Sequence, residues 1–333
     1  MSNKKTLIIA EAGVNHNGSI KNAKKLIDVA SDAGADIIKF QTFSPEDIVL
    51  RNTKKAQYQR KGSKRNQTQY QMLKKLELKF SEHIELFKYC KKKKIEFLST
   101  AFDFKSINLL KKLRLKRNKI PSGEITNYPY LKEIAKISKP ILLSTGMSTY
   151  REISEALNIL KKSKNYITLL HCNSAYPTPY KDVNLKVLNE MRKRFNLPVG
   201  YSDHTLGYEV SLAAVVLGAS VIEKHITLNR KMKGPDHSSS LEPSEIKAMV
   251  KAIRNIEQSM GHSKKKPTKS EFKNIFFSRK SIVAKTDINK GDKFSEYNLT
   301  TKRPAKGLSP MKWTKIIGKK SNRNYKKEDL IKN

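Results

Sequence analysis

Eight times along this 333-residue chain a short apolar run gives way to a longer stretch of helical period. The runs are TLIIAEAG (6–13), DIIKFQTF (36–43), EFLSTAFD (96–103), NKIPSGE (118–124), PILLSTGM (140–147), ITLLHC (167–172), PVGYSDH (198–204) and SVIEKHI (220–226). Between them lie amphipathic segments such as SIKNAKKLIDVASDAGA, where Ile20, Ala23, Leu26, Ile27 and Ala30 form one stripe and Gly34 is a stop signal. Strands alternating with helices require a parallel sheet, and eight such units predict a closed (β/α)8 TIM barrel.

Each run also changes character along its length, beginning apolar and ending polar. The polar ends are Glu11, Lys39 with Gln41, Thr100, Ser122 with Glu124, Ser144, His171, Asp203 with His204, and His225. In a barrel of this class the C-terminal strand ends and the loops after them form the active face. Groups gathered there line one funnel and escape unpaired burial, which costs several kcal/mol each as an order of magnitude. The oddest run, SVIEKHI, then has an explanation: His225 stands at the mouth. Alternation puts Glu223 on the same face as His225 and Lys224 on the other, and the pair Glu223 and Lys224 is expected to be structural or outward-facing.

His204 and His225 end successive strands, so they are expected side by side. Two imidazoles with oxygen ligands suit Mn²⁺ or a similar divalent ion, Mg²⁺ and Co²⁺ included, although a lone histidine is more often structural. Glu124 is a candidate third ligand or the partner of a metal-bound water. Lys39, Thr100, Lys119, Ser122 and Ser144 bring ammonium and hydroxyl groups suited to a phosphate and a carboxylate. Tyr176 and Asp236 lie in Pro- and Gly-punctuated loops, where they present polar tips to a polyol or, for Asp236, cap a turn. His171 and His237 are expected to be structural.

The barrel is expected to span residues 1–261 and to be followed by a polar linker, 262–275. A small β-rich domain over 276–333 is too short for an ample core and is expected to dock on something. The 68 Lys and Arg against 30 Asp and Glu give a net charge of +38, which could serve nucleic acid. The lysines are dispersed through helices, however, with no finger spacing, no aromatic RNA-binding signature and no basic tail. Nucleic-acid binding is therefore a minor alternative, and an anionic small substrate suits the charge equally. No apolar run reaches the roughly 18 residues of a membrane span, and the start lacks a signal-peptide core, so a cytoplasmic protein is expected. Cys90 and Cys172 are too few for a disulfide framework.

The motifs AEAGVNHNGS, IIKFQTF, KIPSGEITNYPYL, ILLSTGM, LLHCNSAYPTPYKDVNL, GYSDHT, EKHITL and GPDHSSSLEP, in that order, resemble the bacterial sialic acid (N-acetylneuraminate) synthases and the wider nonulosonic acid synthase family. The terminal SIVAKTDINKGDKFSEYNLTTKRPAKGLSPMKW resembles that family's antifreeze-like (SAF, β-clip) domain. The resemblance implies a transferase that condenses phosphoenolpyruvate with open-chain N-acetylmannosamine and releases phosphate by C–O cleavage. A legionaminic acid synthase using 2,4-diacetamido-2,4,6-trideoxymannose is the alternative, and a pseudaminic acid synthase a more distant one. By resemblance, His204 and His225 bind the metal, and Lys39, Thr100, Lys119, Ser122 and Ser144 hold phosphoenolpyruvate. Glu11, Gln41, Tyr176 and Asp236 hold the sugar, and Glu124 orients or deprotonates water. Arg303 is implied to reach the partner's site across a domain-swapped homodimer.

Overall fold

The computed structural model describes residues 5–56, 59, 67–161 and 166–332. Eight parallel strands close into a barrel in chain order: β1 (Leu7–Gly13), β2 (Ile37–Thr42), β3 (Glu96–Ala101), β4 (Asn118–Ile120), β5 (Ile141–Ser144), β6 (Ile167–Cys172), β7 (Val199–Asp203) and β8 (Val221–His225). Closure is made by β1 pairing with both β2 and β8, so Glu11 lies opposite Lys39 on one side and His225 on the other.

The helices form where the sequence supplies both a cap and a stripe. Ser19 accepts from the Asn22 amide at the start of the helix Ile20–Asp32, and Ala23, Leu26, Ile27 and Ala30 are buried. Gly34 takes φ +79°, left-handed backbone that favours glycine, just beyond the helix end. The helix Tyr150–Leu160 opens with a reciprocal cap between Thr149 and Glu152. These stripes cover the outer face of the strands, where Ile8, Ile38 and Ile222 are fully buried. Burying such a side chain stabilises the fold by about 1.5–3 kcal/mol each.

Residues 43–95, between β2 and β3, hold more than the single helix a (β/α) unit needs: Pro45–Ile48 and Gln69–Leu76 precede the barrel helix Phe80–Lys92.

The chain divides after Gly261 into two compact units. Within 262–275, read from sequence as linker, the helix Lys269–Ser278 begins, capped by Thr268 and Glu271. The T-K-S-E spacing is a capping box that the polar composition hides. The C-terminal unit pairs Ser281–Ala284 antiparallel with Leu299–Lys302. It has a core of its own around Ile282, Ile288, Phe294, Leu299 and Ile331. The expectation of a unit short of core is corrected here, because bridges such as Ile288 with Tyr325 let loops contribute buried side chains.

Candidate active site

A cavity of about 500 Å³ opens at the C-terminal ends of the strands. It is lined by every barrel residue singled out from sequence as a site candidate: Glu11, Lys39, Gln41, Thr100, Lys119, Ser122, Glu124, Ser144, Tyr176, His204, His225 and Asp236. Arg303 lies in the C-terminal unit, exposed, its Nε donating to the Ser278 carbonyl at 3.1 Å.

At the floor, two lysines and two glutamates form one buried network. Lys39 Nζ is 2.8 Å from Glu11 and 3.7 Å from Glu223, and Lys119 Nζ is 3.2 Å from Glu223. Lys39 also donates to Thr100 Oγ1 at 3.1 Å, and Ser202 Oγ to Glu223 at 2.9 Å. Opposite charges at these distances offset a desolvation that would otherwise be prohibitive. Burial pushes Glu223 up, but Lys119 and Lys39 outweigh it and hold the carboxyl at about 2. Glu11 is raised to about 7, because burial exceeds what Lys39 returns and the Glu223 charge adds to the rise. Lys119 is driven down by burial, only partly offset by Glu223. An anion beside Lys119 would favour its ammonium form.

Glu223 was assigned from sequence to a structural pair with Lys224, and the structure corrects this. Lys224 points outward, buried against Asp203 at 3.1 Å and the Thr205 carbonyl at 2.6 Å. Glu223 points inward, as the alternation with His225 already indicated. The same two-residue step from His204 leads to Ser202, which the sequence reading missed.

His204 and His225 stand together at the end of β7 and β8, ring centroids 5.4 Å apart, with the Tyr176 ring 4.2 Å from His204. The Asn173 carbonyl lies 2.6 Å from His204 Nδ1, which assigns the proton to that nitrogen and leaves Nε2 as the acceptor. Desolvation holds both imidazoles neutral, His204 lowered to about 4 and His225 well below its usual value. His225 Nδ1 is buried with no hydrogen-bond partner among the described residues. Beside it, Gly13 sits at φ +52°, and a Cβ there would meet His225 Cε1 at 3.3 Å and Glu11 Oε1 at 3.4 Å. Two neutral imidazoles, one with an unsatisfied buried nitrogen, beside a space kept open by glycine, fit a divalent cation. Among the described residues no group of three or more His, Cys, Asp or Glu is arranged to hold a metal. A cation at this pair would take the two imidazoles and fill its other positions with oxygens of water or substrate.

Glu124 is on the turn Ser122–Glu124 that follows β4, across the barrel from β8. It accepts from Asn127 at 2.5 Å, and burial raises its pKa. Glu124 does not group with His204 and His225 as a third metal ligand among the described residues. Ser122 Oγ accepts from the Gly146 amide at 3.0 Å and lies 3.2 Å from Cys172 Sγ. A Cβ on Gly146 would come within 2.6 Å of Ser174 Oγ and 2.8 Å of Ser122 Oγ, so the loop after β5 needs glycine for space. Burial raises Asp236 to about 6. His171 bonds the Val183 carbonyl and His237 bonds Thr227, both structural as expected.

A parallel barrel whose C-terminal mouth combines a buried ammonium–carboxylate floor with paired neutral imidazoles defines a TIM-barrel enzyme with a polar site for a small molecule. More particularly, the chain belongs to the NeuB family, whose profile matches residues 26–265, and residues 279–333 match the SAF domain. It is 55% identical to an N,N'-diacetyllegionaminic acid synthase of Campylobacter jejuni subsp. jejuni, over 99% of each chain. It is 44% identical to a protein of the same description from Legionella pneumophila subsp. pneumophila, over 95% of this chain and 90% of that one. The crystal structure of an N-acetylneuraminic acid (sialic acid) synthetase from Leptospira borgpetersenii, in complex with citrate, superposes with a TM-score of 0.72. That protein shares 36% identity, over 82% of this chain and 91% of the other.

Proposed function

We propose that the protein is a nonulosonic acid synthase that joins phosphoenolpyruvate to an open-chain N-acylated mannosamine-type sugar. The favoured sugar is 2,4-diacetamido-2,4,6-trideoxymannose, giving N,N'-diacetyllegionaminic acid. N-acetylmannosamine, giving N-acetylneuraminate, is the second reading, supported by the 36% identity to the sialic acid synthetase. The observation that carries the function is the convergence of Lys39 and Lys119 with His204 and His225 in one cavity. Identity of 55% and 44% to the two legionaminic acid synthases carries the choice of sugar.

Lys39 and Lys119, with Thr100, Ser122, Ser144 and the Gly146 amide, hold the phosphate and carboxylate of phosphoenolpyruvate. Glu11, Gln41, Tyr176 and Asp236 orient the sugar so that its aldehyde carbon faces the enol carbon, C3. A divalent ion held by His204 and His225, Mn²⁺ being favoured by the imidazole-and-oxygen set, would supply Lewis-acid polarisation of the aldehyde oxygen. Attack by C3 forms the new C–C bond and leaves the positive charge at C2. Water adds to C2, with Glu124, its pKa raised by burial, placed to orient it or take its proton. Collapse of the resulting adduct breaks the C2–O bond and expels phosphate. Fixing both reactants in one pocket can supply up to about 7–11 kcal/mol of the barrier reduction. Arg303 completes the sugar site of a partner subunit in a homodimer. The reaction belongs in the cytoplasm, where phosphoenolpyruvate is made, and no helix of the described residues is long and apolar enough to cross a membrane.

The test is turnover of phosphoenolpyruvate with each candidate sugar, read as phosphate release and product mass. An ¹⁸O label on the bridging oxygen is expected in the phosphate. Turnover of N-acetylmannosamine alone would overturn the sugar assignment, and no turnover with any of them would overturn the function.

A further inference from the structure

The cavity is mainly polar on one side and carries an apolar patch on the other, bordered there by Gln59 and Gln69. From β4 round to β8 its upper rim carries Ser122, Glu124, Ser174, Tyr176, His204 and Asp236, with Met147 the main apolar interruption. On the β1–β3 side three polar lining residues have an apolar one further up: Phe43 is two residues beyond Gln41, Phe102 two beyond Thr100, and Val14 three beyond Glu11. Two residues of strand rise about 7 Å, roughly the reach of an extended six-carbon chain. A ligand whose reacting end lies on the floor and whose chain extends up the β1–β3 side brings its far end against apolar side chains.

The wall is reinforced by segments the barrel does not require. Val14, Phe43, Met72 and Leu76 form a buried cluster separate from the main core, with Ile48, Leu73 and Phe102 packed against it. Phe43 and Phe102 meet edge to face, centroids 6.4 Å apart. Ile48 ends the helix Pro45–Ile48, and Met72 and Leu73 belong to Gln69–Leu76, both additional to the barrel helix Phe80–Lys92. Ile48, Met72 and Leu73 all line the cavity.

We propose that this wall determines sugar specificity by seating the terminal methyl of a 6-deoxy sugar, so that the enzyme discriminates against the 6-hydroxy counterpart. The inference rests on the synthase reading above and adds to it the part of the sugar that the wall reads. An acetamido group laid on the wall would leave its N–H and C=O without partners, whereas a terminal methyl has no polar atom to satisfy. A hydroxyl at the same carbon would be stripped of water for no return.

The experiment compares kcat/KM for 2,4-diacetamido-2,4,6-trideoxymannose and for 2,4-diacetamido-2,4-dideoxymannose, each with phosphoenolpyruvate. An apolar pocket separates such a pair by about 10- to 100-fold, and that preference for the 6-deoxy sugar is expected. Leu73→Gln and Ile48→Asn, both at half-buried positions, are expected to shrink the ratio at least about threefold while KM for phosphoenolpyruvate stays put. Equal kcat/KM for the two sugars would overturn the wall's role and leave the synthase reading intact. A wild-type preference that both variants retain would place the selection elsewhere and overturn the proposal too. No turnover of either sugar would remove the synthase reading, and the inference with it.

Discussion

Glu223 is the residue on which the proposed anion seat turns, because it faces both lysines and partly offsets the burial that lowers Lys119. Glu223→Gln keeps the shape and removes the charge. Leaving an ammonium buried without its partner costs about 3–5 kcal/mol, an effect expected in urea unfolding. Lys119, lowered further, then deprotonates at a lower pH, so KM for phosphoenolpyruvate should begin to climb at lower pH than in the wild type. An unchanged pH profile would show that Lys119 does not hold the anion. Asp236 gives the opposite sign. Burial raises its carboxyl to about 6, so the charged form proposed to accept from sugar hydroxyls is lost as pH falls through that value. KM for the sugar is expected to rise below pH about 6, and Asp236→Asn to raise it throughout and flatten the dependence. His204→Ala and His225→Ala should each lower kcat by more than about 100-fold, since even an outer partner of a metal ligand is worth 10–100-fold. Full turnover in excess chelator would defeat the metal assignment.

At the scale of elements, function resides where each strand stops being apolar. That transition was readable without coordinates: a residue at the end of a buried parallel strand must either find a partner or face the mouth. Glu11, Lys39, Thr100, Lys119 and His225 follow the rule. Glu223 and Ser202 escaped the reading because they lie one alternation deeper, where only the paired lysine shows that a carboxylate is tolerated. The loop after β5 is a sharper test of placement. Gly146→Ala puts a methyl among Ser122, Ser174 and Cys172. It should raise KM for phosphoenolpyruvate about tenfold, near the lower end of ordinary overpacking, with little change in the sugar's KM. Equal effects on both substrates would mean the loop does not belong to the anion seat. The helix Lys269–Ser278 and the two helices that build the apolar wall were illegible for a different reason. Short helices depend on caps and neighbours more than on their own periodicity.

At the scale of the molecule, each unit has its own hydrophobic core, yet Arg303, assigned to the sugar, is carried by the unit that lacks the barrel. If it serves the partner's site, inactive Arg303→Ala and inactive His225→Ala subunits should restore activity when allowed to exchange. Random pairing makes half the dimers mixed, each with one intact site, so recovery should approach about a quarter of wild type. No recovery after proven exchange would restrict Arg303 to its own chain. By itself the sequence determined the barrel, the order of its strands and the polar ends that face one mouth. Those follow from periodicity and from the penalty on unpaired burial, both local properties of the chain. Only the tertiary structure decided which carboxylate meets which lysine, on which side of the mouth Glu124 stands, and that an apolar wall rises opposite the imidazoles' polar neighbours. These depend on the register between strands and on contacts across long loops, which no local pattern encodes.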